Sequence, residues 1–180
     1  VIKFLSDQRG SAYILALLMI ICFFVVAALV TDVGEHFCIK VAVKNKLDLA
    51  VRSAAAQVDE EELKNASLVI DESRAAQTFY DTLKINLLLD HSLNPLAGSM
   101  LNSGPVQVDY FKVVKQEEIP FTYTFTGYSE TVSQVSVVAI ISFPVKIGAL
   151  SKLAGLPDET TMYCHVTAGP ELISRPVDQI

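Results

Sequence analysis

The sequence predicts an α+β fold in which a long N-terminal helix lies along an antiparallel sheet, and three observations predict it. No charged side chain occurs between Arg9 and Asp32. No proline or turn cluster then interrupts the chain before the acidic run Asp59 to Glu62. From about residue 105 onward the apolar residues recur every second position instead of every third or fourth.

The first element is Gly10 to Thr31, which as a helix rising about 1.5 Å per residue matches the roughly 30 Å hydrocarbon core of a bilayer. Leu15, Leu18, Ile21, Val25 and Leu29 are apolar, and so are Ala16, Met19, Phe23 and Val26 on the other faces. A helix without a polar face fits lipid better than a soluble core. Lys3, Arg9 and the small residues Val26-Ala27-Ala28 also suit a cleaved leader, but the apolar run continues through Val30, beyond the length of a leader's core. The expectation is an uncleaved anchor with a cytoplasmic tail over 1–9, a transmembrane helix over 10–31 and an extracytoplasmic domain over 32–180. Gly10, Ser11, Leu15, Leu18, Phe23 and Val30 belong to the anchor; Asp32 and Gly34 mark its exit. Lys3 and Arg9 precede the span while Lys40, Lys44 and Lys46 follow it, so orientation rests on size. A short tail stays inside, and a long C-terminal part translocates largely regardless of charge.

The helix should continue as a stalk over 32–58, since Ile39, Val43, Leu47, Ala50, Ala54 and Gln57 recur at helical steps while Lys40, Lys44, Asn45, Asp48 and Arg52 fall mostly elsewhere. The acidic run reads as a solvated loop or helix start. Asp71 is an N-cap for a second helix over about 72–88, with Ala76, Phe79, Leu83 and Leu87 on one stripe. "HSLNPLAGSMLNSGP" is a loop by composition. Alternation then predicts a sheet of about four antiparallel strands over about 105–168: Val106, Val108, Tyr110; Phe121, Tyr123, Phe125; Val135, Val137, Ala139, Ile141, Phe143; and Met162, Cys164, Val166. A proline follows the third of these, and a short helix is expected near Leu150.

A formal net charge of −6 gives no electrostatic support for binding a phosphate backbone, so nucleic acid is not an expected partner. The chain has no Gly-x-Ser-x-Gly, His-Glu-x-x-His, phosphate-binding loop or dinucleotide fingerprint, and neither an enzyme nor a cofactor is expected. His91 lies in the loop without an evident partner. Cys22 falls within the apolar span. Cys38 and Cys164 fall beyond it, where disulfides persist, and form a candidate bridge between stalk and last strand. His36, Cys38, Cys164 and His165 contain the donor types of a tetrahedral zinc site. Neighbours on a strand point to opposite faces, however, so no metal is expected.

The succession "QRGSAYILALLMI", "VVAALVTDVG" and "VKNKLDLAVRSAAAQ" resembles the N-terminal region of TadE/TadG-like proteins, minor pilins or assembly proteins of the tight-adherence (Flp) type IVb pilus. The shared pattern is Arg-Gly-Ser, a hydrophobic span, an Asp-Val-Gly exit and an Ala-rich helix with Leu-x-x-Ala, covering roughly the first third of the chain. The resemblance implies a structural role in the bacterial cytoplasmic membrane, N-terminus inside, with other pilus or secretion-platform subunits as partners. It also implies a comparison at Gly10. Processed prepilins are cut after a glycine at the cytosolic boundary, and a glutamate at the fifth mature position assists assembly. With Ser11 first, the fifth residue is Leu15, and no acid occurs before Asp32. The chain is therefore more similar to the unprocessed TadG-type member, and the Gly10–Ser11 bond is expected to stay uncut. The alternative function is a membrane-tethered extracytoplasmic ligand-binding or sensing domain unrelated to pili; a pocket lined by convergent polar groups would favour it.

Overall fold

The computed structural model describes residues 8–148 and 157–171, with side chains from residue 12 onward. Most of the expected cytoplasmic tail and the expected short helix near Leu150 lie outside the described residues.

Helix α1 spans Gln8–Ala55, 48 residues without a break. It stops short of residue 58 because the chain turns extended there: Val58 bridges Ile70, Asp59 N–H donates to the Val69 carbonyl, and Asp71 N–H donates to that of Gln57. The acidic run between them starts a helix. In α2, Glu60–Lys64, the Asp59 carboxylate accepts from the Glu61 and Glu62 amides, and three first-turn glutamates face the positive end of the helix dipole. Helix α3, Glu72–Leu87, is capped in the same way by Asp71, which accepts from Ser73 and Arg74 N–H. Its buried stripe is Ala75, Phe79, Leu83 and Leu87. Ala75 takes the place expected for Ala76, which is half-buried. Leu88 ends the helix in the left-handed region at φ +53°.

Five strands follow among the described residues: β1 Gln107–Val114, β2 Phe121–Phe125, β3 Tyr128–Val132, β4 Ser136–Lys146 and β5 Glu159–Ala168. They form two antiparallel units and not a single four-stranded sheet. One is a three-stranded sheet in the order β1-β4-β5, and the other is the β2-β3 hairpin. The reason lies in β4. Val137, Ala139, Ile141 and Phe143 face the helices as expected, but Val138 and Ile140 on the other face are apolar too and need their own cover. The hairpin supplies it, burying Tyr123 and Val132 with Val114, Val138 and Ile140. Helices, sheet and hairpin are therefore three layers.

The hairpin turns on Thr126 and Gly127, both at positive φ (+44° and +81°), as in a two-residue type I′ turn. Pro144 lies inside β4, where the sequence put it after the strand. It is tolerated because β1 reaches only as far as Gln107 opposite Ser142, so β4 has β5 alone as a strand neighbour at Pro144. Gly104 packs on that proline; a Cβ there would come within 2.6 Å of Pro144 Cγ. The main core joins Val43, Leu47, Ala50 and Ala54 of α1 to Phe79, Leu83 and Leu87 of α3 and to the inner face of β4. Phe79 meets Phe111 of β1 at 4.8 Å between ring centroids.

Candidate functional site

Helix α1 divides into a part that the domain covers and a part that it leaves bare. Leu15, Leu18, Phe23 and Val30 are all exposed, Phe23 at 70% and Val30 at 63%. No residue of the most apolar stretch of α1 is buried, and the helix is long and apolar enough to cross a membrane. Its backbone runs through Gly10 and Ser11 without a break.

The domain grips α1 from Asp32 upward. The Asp32 carboxylate lies against the backbone of Gly148, where any Cβ would overlap it. One turn later His36 Nε2 sits 2.9 Å from the Lys146 carbonyl, and Glu35 and Ile39 face Leu101, Pro144 and Val145 across a small cleft. The end of β4 is thus tied to the helix at the predicted exit. Gly34 takes no part: it is exposed, and a Cβ there would meet nothing within 4 Å.

Above this grip the two sides of α1 differ. Ile39, Val43, Leu47, Ala50 and Ala54 face the core, Ile39 at its margin and the rest buried, as their spacing predicts. Val33 and Phe37 on another side are 60% and 67% exposed, and Val41 is exposed beside them. Lys40 and Lys44 are exposed, and neither joins any of the ion pairs among the described residues.

The cysteines correct an expectation. Cys22, Cys38 and Cys164 are all free, so the candidate Cys38–Cys164 bridge is not formed. Cys38 is exposed on α1, whereas Cys164 is buried between β5 and α1 with its thiol 3.7 Å from the Lys40 carbonyl. Two residues along a helix turn the side chain by about 200°, so the face of α1 that meets Cys164 is not the one that carries Cys38. The candidate zinc donors are likewise dispersed. His36 is bound to the Lys146 carbonyl, and His165 points to the opposite face of β5 from Cys164, its ring stacked 3.8 Å from that of Tyr128.

That outer face carries a cluster the sequence reading missed. Glu130 Oε2 accepts hydrogen bonds from Tyr123 (2.6 Å), Tyr128 (3.0 Å) and Thr167 (3.2 Å), fastening the hairpin to β5. Tyr123 and Glu130 are cross-strand partners across the type I′ turn. The signal available was the Gly127 turn with five residues on each side, which fixes that register. Burial alone would raise the Glu130 pKa, but the three hydroxyl donors outweigh it and hold it below the usual carboxylate range. His165 is lowered, first by burial and then by Lys44.

Two of the clefts are open and largely apolar. One of about 380 Å³ near the C-terminal end of α1 is floored by Leu68, Ile70, Val113 and Val135; of its rim charges, Lys115 already pairs with Glu72 at 2.8 Å. A second, at the end of α3, is lined by Ile85, Leu88 and Leu96 and takes in His91. No family model, curated protein or solved structure matches the chain.

Proposed function

We propose that this chain is a single-pass structural component of a bacterial surface assembly of the tight-adherence pilus class. Its N-terminus stays in the cytoplasm and its domain is extracytoplasmic, in contact with other pilus or secretion-platform subunits. The observation that carries the reading is the division of α1: one rigid helix whose first half is apolar on every side and bare, and whose second half is built into a folded domain. Such a helix holds a domain at a fixed height and rotation above a membrane. Two surfaces remain for partners. One is the bare face of α1 at Val33, Phe37 and Val41. The other is the outer edge of β5, ten residues in regular register with β4 and unpaired on its far side among the described strands. The opposite edge, β1, is interrupted by a bulge at Asp109.

The test is the N-terminus and intact mass of the chain recovered from bacterial membranes. The expected product retains the Gly10–Ser11 bond. A chain beginning at Ser11 would overturn the unprocessed-anchor reading, and one beginning near Leu29 would overturn the anchor itself. The alternative, a tethered ligand-binding domain, would use the cleft of Leu68, Ile70, Val113 and Val135, whose floor is apolar rather than a set of convergent polar groups. That reading predicts loss of function on filling the cleft with Val113→Phe, whereas the structural reading predicts loss on changing Phe37.

A further inference from the structure

The bare side of α1 carries a seam that the described residues of its own domain leave uncovered. Met19, Val26 and Val33 follow at intervals of seven residues, and so do Phe23, Val30 and Phe37, the two series offset by four and three. This is the spacing with which one helix packs along another at a shallow angle. All six side chains are exposed. One step further, the same intervals give Lys40 and Lys44. Lys44 stands one turn below Asp48, but that carboxylate is held by Arg52 at 2.7 Å, so the seam ends in two cations that have no ion-pair partner among the described residues.

Chains inserted in the same direction associate in parallel. A second copy on this seam would set Lys40 and Lys44 against the same two residues, a juxtaposition that costs affinity. We propose that the seam receives the helix of a different membrane-anchored chain, apolar through the bilayer and bearing carboxylates two to three turns above it, where they pair with Lys40 and Lys44. The inference rests on the membrane-anchored reading and names the partner class of that surface. Height favours a protein over a lipid headgroup. At about 1.5 Å per residue the two lysines stand roughly 12 and 18 Å beyond Asp32, while the headgroup layer adds only about 5–8 Å on each side of the hydrocarbon.

The test uses the full chain in phosphatidylcholine vesicles, labelled with donor or acceptor dyes at Cys38 in a Cys22→Ala background; Cys38 is exposed and lies off the seam. The acidic partner is represented by the same chain carrying Lys40→Glu and Lys44→Glu. The mixture of native and charge-swapped chains should show energy transfer corresponding to association roughly tenfold tighter than either chain with itself. That advantage should shrink as salt is raised from about 0.05 to about 0.5 M, and Phe37→Ala should weaken the mixed pair. Equal association in all three mixtures would overturn the proposal while leaving helix packing, and the proposed function, intact. No association in any mixture would overturn the seam itself, the anchor still being judged by the N-terminus of the membrane-derived chain. Clustering of the native chain that appears only when phosphatidylglycerol is added would assign the lysines to lipid and likewise overturn it.

Discussion

Gly34 and Gly148 are the two glycines nearest the predicted bilayer exit, and their surroundings assign them opposite consequences. Gly34 sits within α1 with open space where a Cβ would go, so Gly34→Ala should stabilise the chain by about 0.5–1 kcal/mol through helix propensity alone. Gly148 touches the Asp32 carboxylate, so Gly148→Ala must push that side chain aside, at a cost of about 1 kcal/mol or more. The cost should vanish in an Asp32→Ala background, a double-mutant cycle readable by urea unfolding in detergent micelles. The Glu130 cluster makes a second prediction at this scale, in pH. Both Glu130 and His165 have folded pKa values below their ordinary 4.5 and 6.5. As pH falls through about 6.5, the unfolded chain gains a proton at His165 that the folded chain resists; below about 4.5 the same holds at Glu130. Stability is therefore complete above these values and is lost in two steps on acidification. His165→Phe keeps a ring against Tyr128 and should flatten the upper step only, whereas Glu130→Gln should remove the lower one and cost stability near pH 7. Unchanged slopes in both variants would refute the assignment.

At the scale of elements, the sequence was most readable where one face of a segment meets the core. The stripe of α1, the stripe of α3 apart from Ala75 in place of Ala76, and the inner face of β4 follow from their periods, and the Asp71 cap from its position. The strand β3, "YSETV", was not readable because it alternates weakly and its apolar partner surface lies on β4, far away in the chain. The second apolar face of β4 was the clue: Val138 and Ile140 belong to a strand covered on both sides, which needs a third layer. Two predictions belong here. Thr126 occupies a position of the type I′ turn that asparagine fits better, so Thr126→Asn should stabilise the hairpin by up to about 1 kcal/mol. Phe79→Ala, at the junction of α3, α1 and β1, should cost about 3–5 kcal/mol in chemical unfolding, because the site is fully enclosed.

For the whole molecule, the candidate surface was half legible. The exposure of Leu15, Leu18, Phe23 and Val30 follows from composition, since nothing in the domain is large enough to cover a helix of that length. The grip at Asp32, His36, Lys146 and Gly148 was not legible, because it depends on where β4 ends relative to α1. That grip fixes the rotation of the anchor relative to the domain, which makes the rotation testable. Alanines inserted between Val30 and Thr31 lie below the grip and leave the folded domain untouched, but each rotates the apolar segment by about 100°. Two inserted residues turn the face of Phe23 and Val26 roughly 200° away from that of Val33 and Phe37, while four bring it back to within about 40°. If α1 acts through one continuous face, cross-linking of the chain to its partners in bacterial membranes should be lost with two inserted residues and largely recovered with four. The urea midpoint of the domain should stay unchanged in both. Equal loss with two and with four would mean that height above the membrane matters and helical phase does not, and equal retention would mean that the anchor only tethers.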